Sequence, residues 1–132
     1  MSSVEKAKAL YGAFATGDVP TVLAGMDPGI RWSEAEGNPY QPSGVAWVGP
    51  QALVDNLFMK LATEWENFSV HPATFYDAGD SAVVEGRYTG KYLPTGAELD
   101  SQYCHVFTFA DDKLVRFQQY TDTAQYQKVF GP

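Results

Sequence analysis

The chain has 132 residues and is 45% hydrophobic, the size of one domain with enough apolar material for a core and too ordinary for a disordered polymer. A formal net charge of −7 argues against nucleic acid as a partner, since that binding rests on Lys and Arg against phosphates. No apolar run approaches the ~18 residues of a membrane span. The first residues lack the apolar core of a signal peptide, and Cys104 stands alone, so no internal disulfide forms and a reducing cytoplasm is the expected setting. Two His and one Cys build no conventional zinc site without carboxylates. Aromatics make up 14% of the chain, more than a small core needs, so some are expected to line a cavity.

Val4, Ala7, Tyr11 and Phe14 recur at helical spacing behind a Ser2–Glu5 capping box, and Gly17 ends that helix. Asp18 caps a second, short helix with Pro20 in its first turn. Asp27-Pro28-Gly29 reads as a turn, and residues 30–36 as a strand. Residues 37–48 form a Pro- and Gly-rich loop carrying Tyr40 and Trp47, of the kind that serves as a lid or mouth. Gly49-Pro50 opens a third helix with Leu53, Val54, Leu57, Phe58, Leu61 and Trp65 on one face.

Four strands follow, over residues 68–76, 81–92, 98–110 and 113–121, with Pro72 marking a bulge or edge in the first. Asp122 caps a final helix, with Gln125 placed for a reciprocal bond. Successive strands joined by short turns predict an antiparallel meander, and helices segregated to one face predict a single α+β domain over residues 1–132. Such a sheet, curved around the long helix, encloses a conical cavity.

Period-two alternation puts Trp32, Glu34 and Glu36 on one face of the first strand. Glu36 is expected at the solvated rim. Glu34 either faces the core or lies near an edge in solvent. His105 shares a face with Tyr103, Phe107 and Phe109, and Cys104 points the other way, which excludes a Cys–His nucleophilic pair. Burying a charge is costly, so Glu34 and His105 either satisfy each other or meet in a pocket where proton transfer is useful. On the last strand Phe117 and Gln119 point inward, where Gln119 orients a ligand carbonyl or bonds within the sheet. Tyr88 belongs to the inward set of its strand, while Glu85 and Arg87 are expected to pair outside. His71 reads as surface, and Asp122 chiefly as a helix cap.

Residues 11–18 (YGAFATGD), 32–37 (WSEAEG), 48–53 (VGPQAL), 105–109 (HVFTF), 113–117 (KLVRF) and 120–123 (YTDT) together resemble the SnoaL-like branch of the nuclear transport factor 2-like superfamily. The resemblance covers nearly the whole chain and implies a cystatin-like α+β cone. It places Glu34 where ketosteroid isomerases keep the carboxylate that shuttles a proton alpha to a ketone. It places His105 where they keep a protonated aspartic acid in the oxyanion hole. Their oxyanion tyrosine falls near Leu10, with Tyr11 on a different helical azimuth, which argues against steroid isomerisation itself. Gly86, Tyr88 and Gln119 stand where limonene-type epoxide hydrolases keep Asp, Arg and Asp. Asp122 is the counterpart of the acid/base aspartate of polyketide cyclases, although strand parity turns it away from Phe117.

Three functions compete. In the first, a small apolar or aromatic metabolite enters the cone, walled by Trp32, Trp47, Phe58 and Phe107, with Tyr11, Tyr88 and Phe117 beside them. Glu34 then moves a proton alpha to a carbonyl, His105 stabilises the enolate, and no cofactor is required. In the second, the same pocket only binds its ligand. In the third, the outer sheet face builds an assembly, and a homodimer through that face is expected in every case.

Overall fold

The computed structural model describes residues 1–132. Ser2 Oγ accepts the Glu5 amide and opens α1 (Ser3–Ala15), and Asp18 accepts the Thr21 amide and opens α2 (Val19–Ala24). β1 (Met26–Ser33) follows at once, so the turn expected at Asp27–Gly29 lies inside a strand. Its chemistry persists there: Asp27 Oδ2 accepts the Gly29 amide, and the register against the neighbouring strand shifts between Met26 and Arg31. The local turn survives as an irregularity within the strand.

After the loop and the short β2 (Trp47–Val48) come α3 (Pro50–Leu53), a π-helical turn (Val54–Phe58) and α4 (Met59–Glu64) without a break. The wider turn allows the consecutive Leu57 and Phe58 both to be buried. Trp65, expected to close this helix, instead adopts an extended backbone and begins β3 (Trp65–Ala78), paired with Tyr92. Its indole remains in the core by the sheet route.

β3, β4 (Ser81–Tyr92), β5 (Glu98–Ala110) and β6 (Lys113–Thr121) form the expected antiparallel meander, and α5 (Thr123–Phe130) closes the chain. The six-stranded order β2-β1-β6-β5-β4-β3 contains one parallel pair, β1 with β6, so the sheet is mixed rather than wholly antiparallel. β1 reaches β6 through a long connection and not a hairpin, and this permits the parallel pairing.

The Pro72 irregularity is real: the β3–β4 register shifts between Pro72 and Thr74. Gly86 sits opposite Pro72, where a Cβ would lie 2.3 Å from the His71 carbonyl and 2.5 Å from the Tyr103 hydroxyl. The expected Glu85–Arg87 pair does not form. Arg87 reaches Asp100 at 2.8 Å on the next strand, and Glu85 accepts from the Tyr76 hydroxyl at 2.7 Å. Both contacts are cross-strand diagonals, since Arg87 stands opposite Gln102 and Tyr76 opposite Val83, a separation that these long side chains span. Gln125 also departs from its expected role. Its amide donates to Asp122, but its side chain accepts from the Asp100 amide at 2.8 Å and ties α5 to β5.

The inward face of β5 supplies Leu99, Tyr103, His105, Phe107 and Phe109 to the core, joined by Phe117 from β6, Tyr88 from β4 and Tyr126 from α5. No helix is long and apolar enough to cross a membrane.

Candidate functional site

A cavity opens between the inner sheet face, α1 and the 50–64 helix. Its walls are apolar apart from Glu34, Asn38, His105, Gln119 and a few tyrosines. Its volume is about 80 Å³, room for several waters or one small ring compound.

Glu34 follows the end of β1, where the strand has no further partner. Gln41 takes that role: its Oε1 accepts the Glu34 amide at 3.0 Å, and its Nε2 donates to the Trp32 carbonyl at 3.1 Å. Trp32 is held in turn by stacking on Phe117, with ring centroids 3.7 Å apart, and by an edge contact with Phe58. Trp32 Nε1 donates to Glu34 Oε2 at 3.2 Å, the one hydrogen bond its carboxyl makes, and Oε1 has no protein partner. The side chain is buried, and burial pushes its pKa up to about 7 against the smaller opposing effect of the indole bond. Of the two positions open to Glu34 from sequence, the structure takes the inward one. Glu36 is exposed, as expected.

His105 is buried among rings. Tyr103 stacks on it at 3.9 Å, the Tyr11 hydroxyl bonds Nδ1 at 2.7 Å, and the Tyr88 hydroxyl bonds Nε2. Burial holds its pKa well below the usual histidine range, so the imidazole is neutral. Burial likewise pushes the Tyr88 and Tyr126 hydroxyls up, which keeps them protonated. Gln119 Oε1 accepts from the Ala35 amide at 3.2 Å and from Asn38 Nδ2 at 2.9 Å, while its Nε2 donates to the Tyr88 hydroxyl at 2.9 Å.

Glu34 and His105 therefore line one cavity but do not form the ion pair considered from sequence. His105 is satisfied by two tyrosines and Glu34 by Trp32 at one oxygen only, because charging both groups in this setting costs more than their attraction returns. Gln119 bonds protein partners at both ends of its amide, the within-protein alternative considered from sequence. Tyr11, on the apolar row of α1 with Val4, Ala7 and Phe14, reaches His105. Trp32, Phe58, Tyr88, Phe107 and Phe117 all line the cavity.

Two expected site residues do not. Trp47 pairs with Trp32 on the edge strand and lies outside the cavity lining. Asp122 is exposed and caps α5, the role its sequence context favoured. Asn38, Tyr40 and Tyr126 line the cavity without having been singled out as lining. The i, i+3 spacing of Tyr126 and Val129 marked an inward face of α5, but nothing in the Pro- and Gly-rich loop marked Asn38. No cluster of three or more His, Cys, Asp or Glu side chains is positioned to hold a metal ion.

The model of the SnoaL-like domain matches residues 7–117 of this chain. Among solved structures, an NTF2-like protein from Burkholderia thailandensis E264 superposes with a TM-score of 0.92 at 28% identity, over 100% of this chain and 99% of that one. TerC co-crystallized with polyporic acid gives 0.83 at 25% identity, over 96% of each chain. A protein with a cystatin-like fold from Xanthomonas campestris gives 0.85 at 18% identity, over 100% of both chains. No curated protein matches.

Proposed function

The chain belongs to the SnoaL-like domain family, with an NTF2-like, cystatin-like fold; within a family whose members include isomerases and cyclases, we propose that it is a cofactor-independent enzyme acting alpha to a carbonyl on a small ring compound. One observation carries this reading. Glu34 is a lone carboxyl on an aromatic cavity wall, with one oxygen anchored, one oxygen without a partner, and a pKa near 7. A base poised near the working pH balances the fraction ionised against proton affinity. Glu34 takes the proton from carbon and returns it at the new position, and the Tyr11 hydroxyl, held on His105, stabilises the developing enolate oxygen. His105 remains neutral throughout. TerC, which shares this fold, was co-crystallized with an organic ligand, and that favours a small organic occupant here.

The test is deuterium incorporation alpha to the carbonyl when the protein is incubated with a panel of small cyclic ketones in D₂O. Wild type is expected to exceed Glu34→Gln by roughly 10²-fold or more. The rate should rise with pH and level off above about 7, as Glu34 ionises. Exchange that is equal in the two proteins, or absent from both, overturns the reading.

A second reading has its own support. Tyr88, His105 and Gln119 satisfy one another and require nothing from a ligand. On that ground the cone is a binding site without chemistry, and Glu34→Gln retains its ligand. In either case the outer sheet face, with Tyr76 and Tyr120 exposed, pairs two copies into a homodimer.

A further inference from the structure

We infer that Gln119 is a positioning residue: it fixes the direction of a hydrogen-bond relay running Gln119 to Tyr88 to His105 to Tyr11, so that the Tyr11 hydroxyl proton is the one offered to a ligand oxygen. This rests on the proposed carbonyl chemistry for its purpose, but its geometry stands apart from Glu34.

The direction begins at a group that has no choice. The Ala35 amide can only donate, so the Gln119 atom facing it is the oxygen, and Asn38 Nδ2 donates to that same atom. Gln119 Nε2 must then face Tyr88 and donate to its hydroxyl oxygen. The Tyr88 proton has one remaining partner, His105 Nε2. A neutral imidazole carries one N–H and one lone pair. If Nε2 accepts, Nδ1 bears the hydrogen and donates to the Tyr11 oxygen at 2.7 Å. That leaves the Tyr11 proton as the one not consumed within the relay. Tyr11 lines the cavity, and its one competing protein acceptor is the neighbouring Tyr103 hydroxyl, a neutral group with no other hydrogen bond, which a ligand oxygen would replace.

The opposite direction strands a proton on Tyr88. That residue is 4% exposed and has no second acceptor, so a donor would be left unpaired in the core. Tyr11 is only partly buried and borders the cavity, where a ligand can take the proton. Gln119 thus acts on the ligand end of the relay through three other side chains.

The test is the tautomer of His105, read by long-range proton–nitrogen correlation NMR on the ¹⁵N-labelled, ligand-free full chain. The Nδ1–H tautomer is expected in wild type; the Nε2–H form, or a mixture, overturns the relay. Gln119→Glu, at pH 8, replaces the donor with a carboxylate that draws the Tyr88 proton toward itself, and should convert His105 to Nε2–H. Retention of Nδ1–H there overturns the role of Gln119. If that variant does not fold, Tyr88→Phe breaks the relay without adding charge and should yield both tautomers, whereas an unchanged pure Nδ1–H form counts against the relay. For the ligand end, 1-indanone and indane serve as probes. Tyr11→Phe should weaken 1-indanone binding about fivefold, the worth of one neutral hydrogen bond, and leave indane unchanged. No preference of wild type for the ketone overturns that half. The tautomer is read without substrate, so it can fail while the Glu34 exchange experiment succeeds, and the reverse.

Discussion

The proposed chemistry turns on one side chain whose burial changes its acidity. Glu34 has a folded pKa of about 7 against an ordinary value of 4.5, so between those pH values the folded state holds a proton that the unfolded chain has released. Stability contributed by that proton is present below pH 4.5 and lost as pH rises through 7. His105 is displaced the other way: its folded pKa lies well below 6.5, so its neutral burial costs stability as pH falls below 6.5. The two slopes oppose each other in wild type, and the difference from Glu34→Gln isolates the carboxyl. That variant is expected to gain up to about 3 kcal/mol relative to wild type between pH 4.5 and 8, measured by urea unfolding. A difference that does not vary with pH contradicts the raised pKa. The inward positions of His105 and Gln119 followed from period-two alternation, which left Glu34 open between the core and a solvated edge. The partners of all three did not follow from it. Alternation says which face a side chain occupies but not which of several nearby groups it bonds, so the Glu34–His105 pair yielded to Trp32 on one side and two tyrosines on the other.

At the scale of elements, the loop after β1 does more to shape the site than its composition revealed. Its first half is not a free lid. Tyr40 is buried, donates to Glu64 at 2.7 Å and accepts from Trp65 Nε1 at 2.8 Å, which fastens the loop to the junction of α4 and β3. Asn38 and Gln41 fasten it to Gln119 and to the backbone beside Glu34. Tyr40→Phe should cost about 1–3 kcal/mol and speed amide exchange across residues 35–44, with little change in β4 and β5. Uniform protection in the variant contradicts the anchoring role. Gly86 gives a second prediction: Gly86→Ala forces a methyl group against the His71 carbonyl and the Tyr103 ring, and should lower stability by about 1–3 kcal/mol or more in a melting experiment. The sequence marked this place through Pro72 but gave no sign that the glycine opposite was required, because that requirement comes from a cross-strand approach. The helix–strand misassignment at Trp65 has a similar cause: an apolar residue at helical spacing satisfies the core equally well from the first position of a strand.

For the whole molecule, the order of elements and their apolar faces made the α+β cone legible, and the parallel β1–β6 pair was the part that local pattern does not encode. The outer sheet face presents Tyr76 and Tyr120 to solvent and partly exposes Cys104 and Val106. Sedimentation equilibrium at micromolar concentration should give twice the 14.5 kDa chain mass, and Tyr120→Glu should shift it toward monomer. A monomeric wild type contradicts pairing through this face. The central claim is that the cone holds a carboxyl poised for proton transfer near neutrality, and the most direct measurement is a ¹³C NMR titration of the Glu34 carboxyl, identified by its loss in Glu34→Gln. A midpoint near 7 is the expected result; a midpoint near the ordinary 4.5 contradicts both the buried setting of Glu34 and the acid/base role built on it.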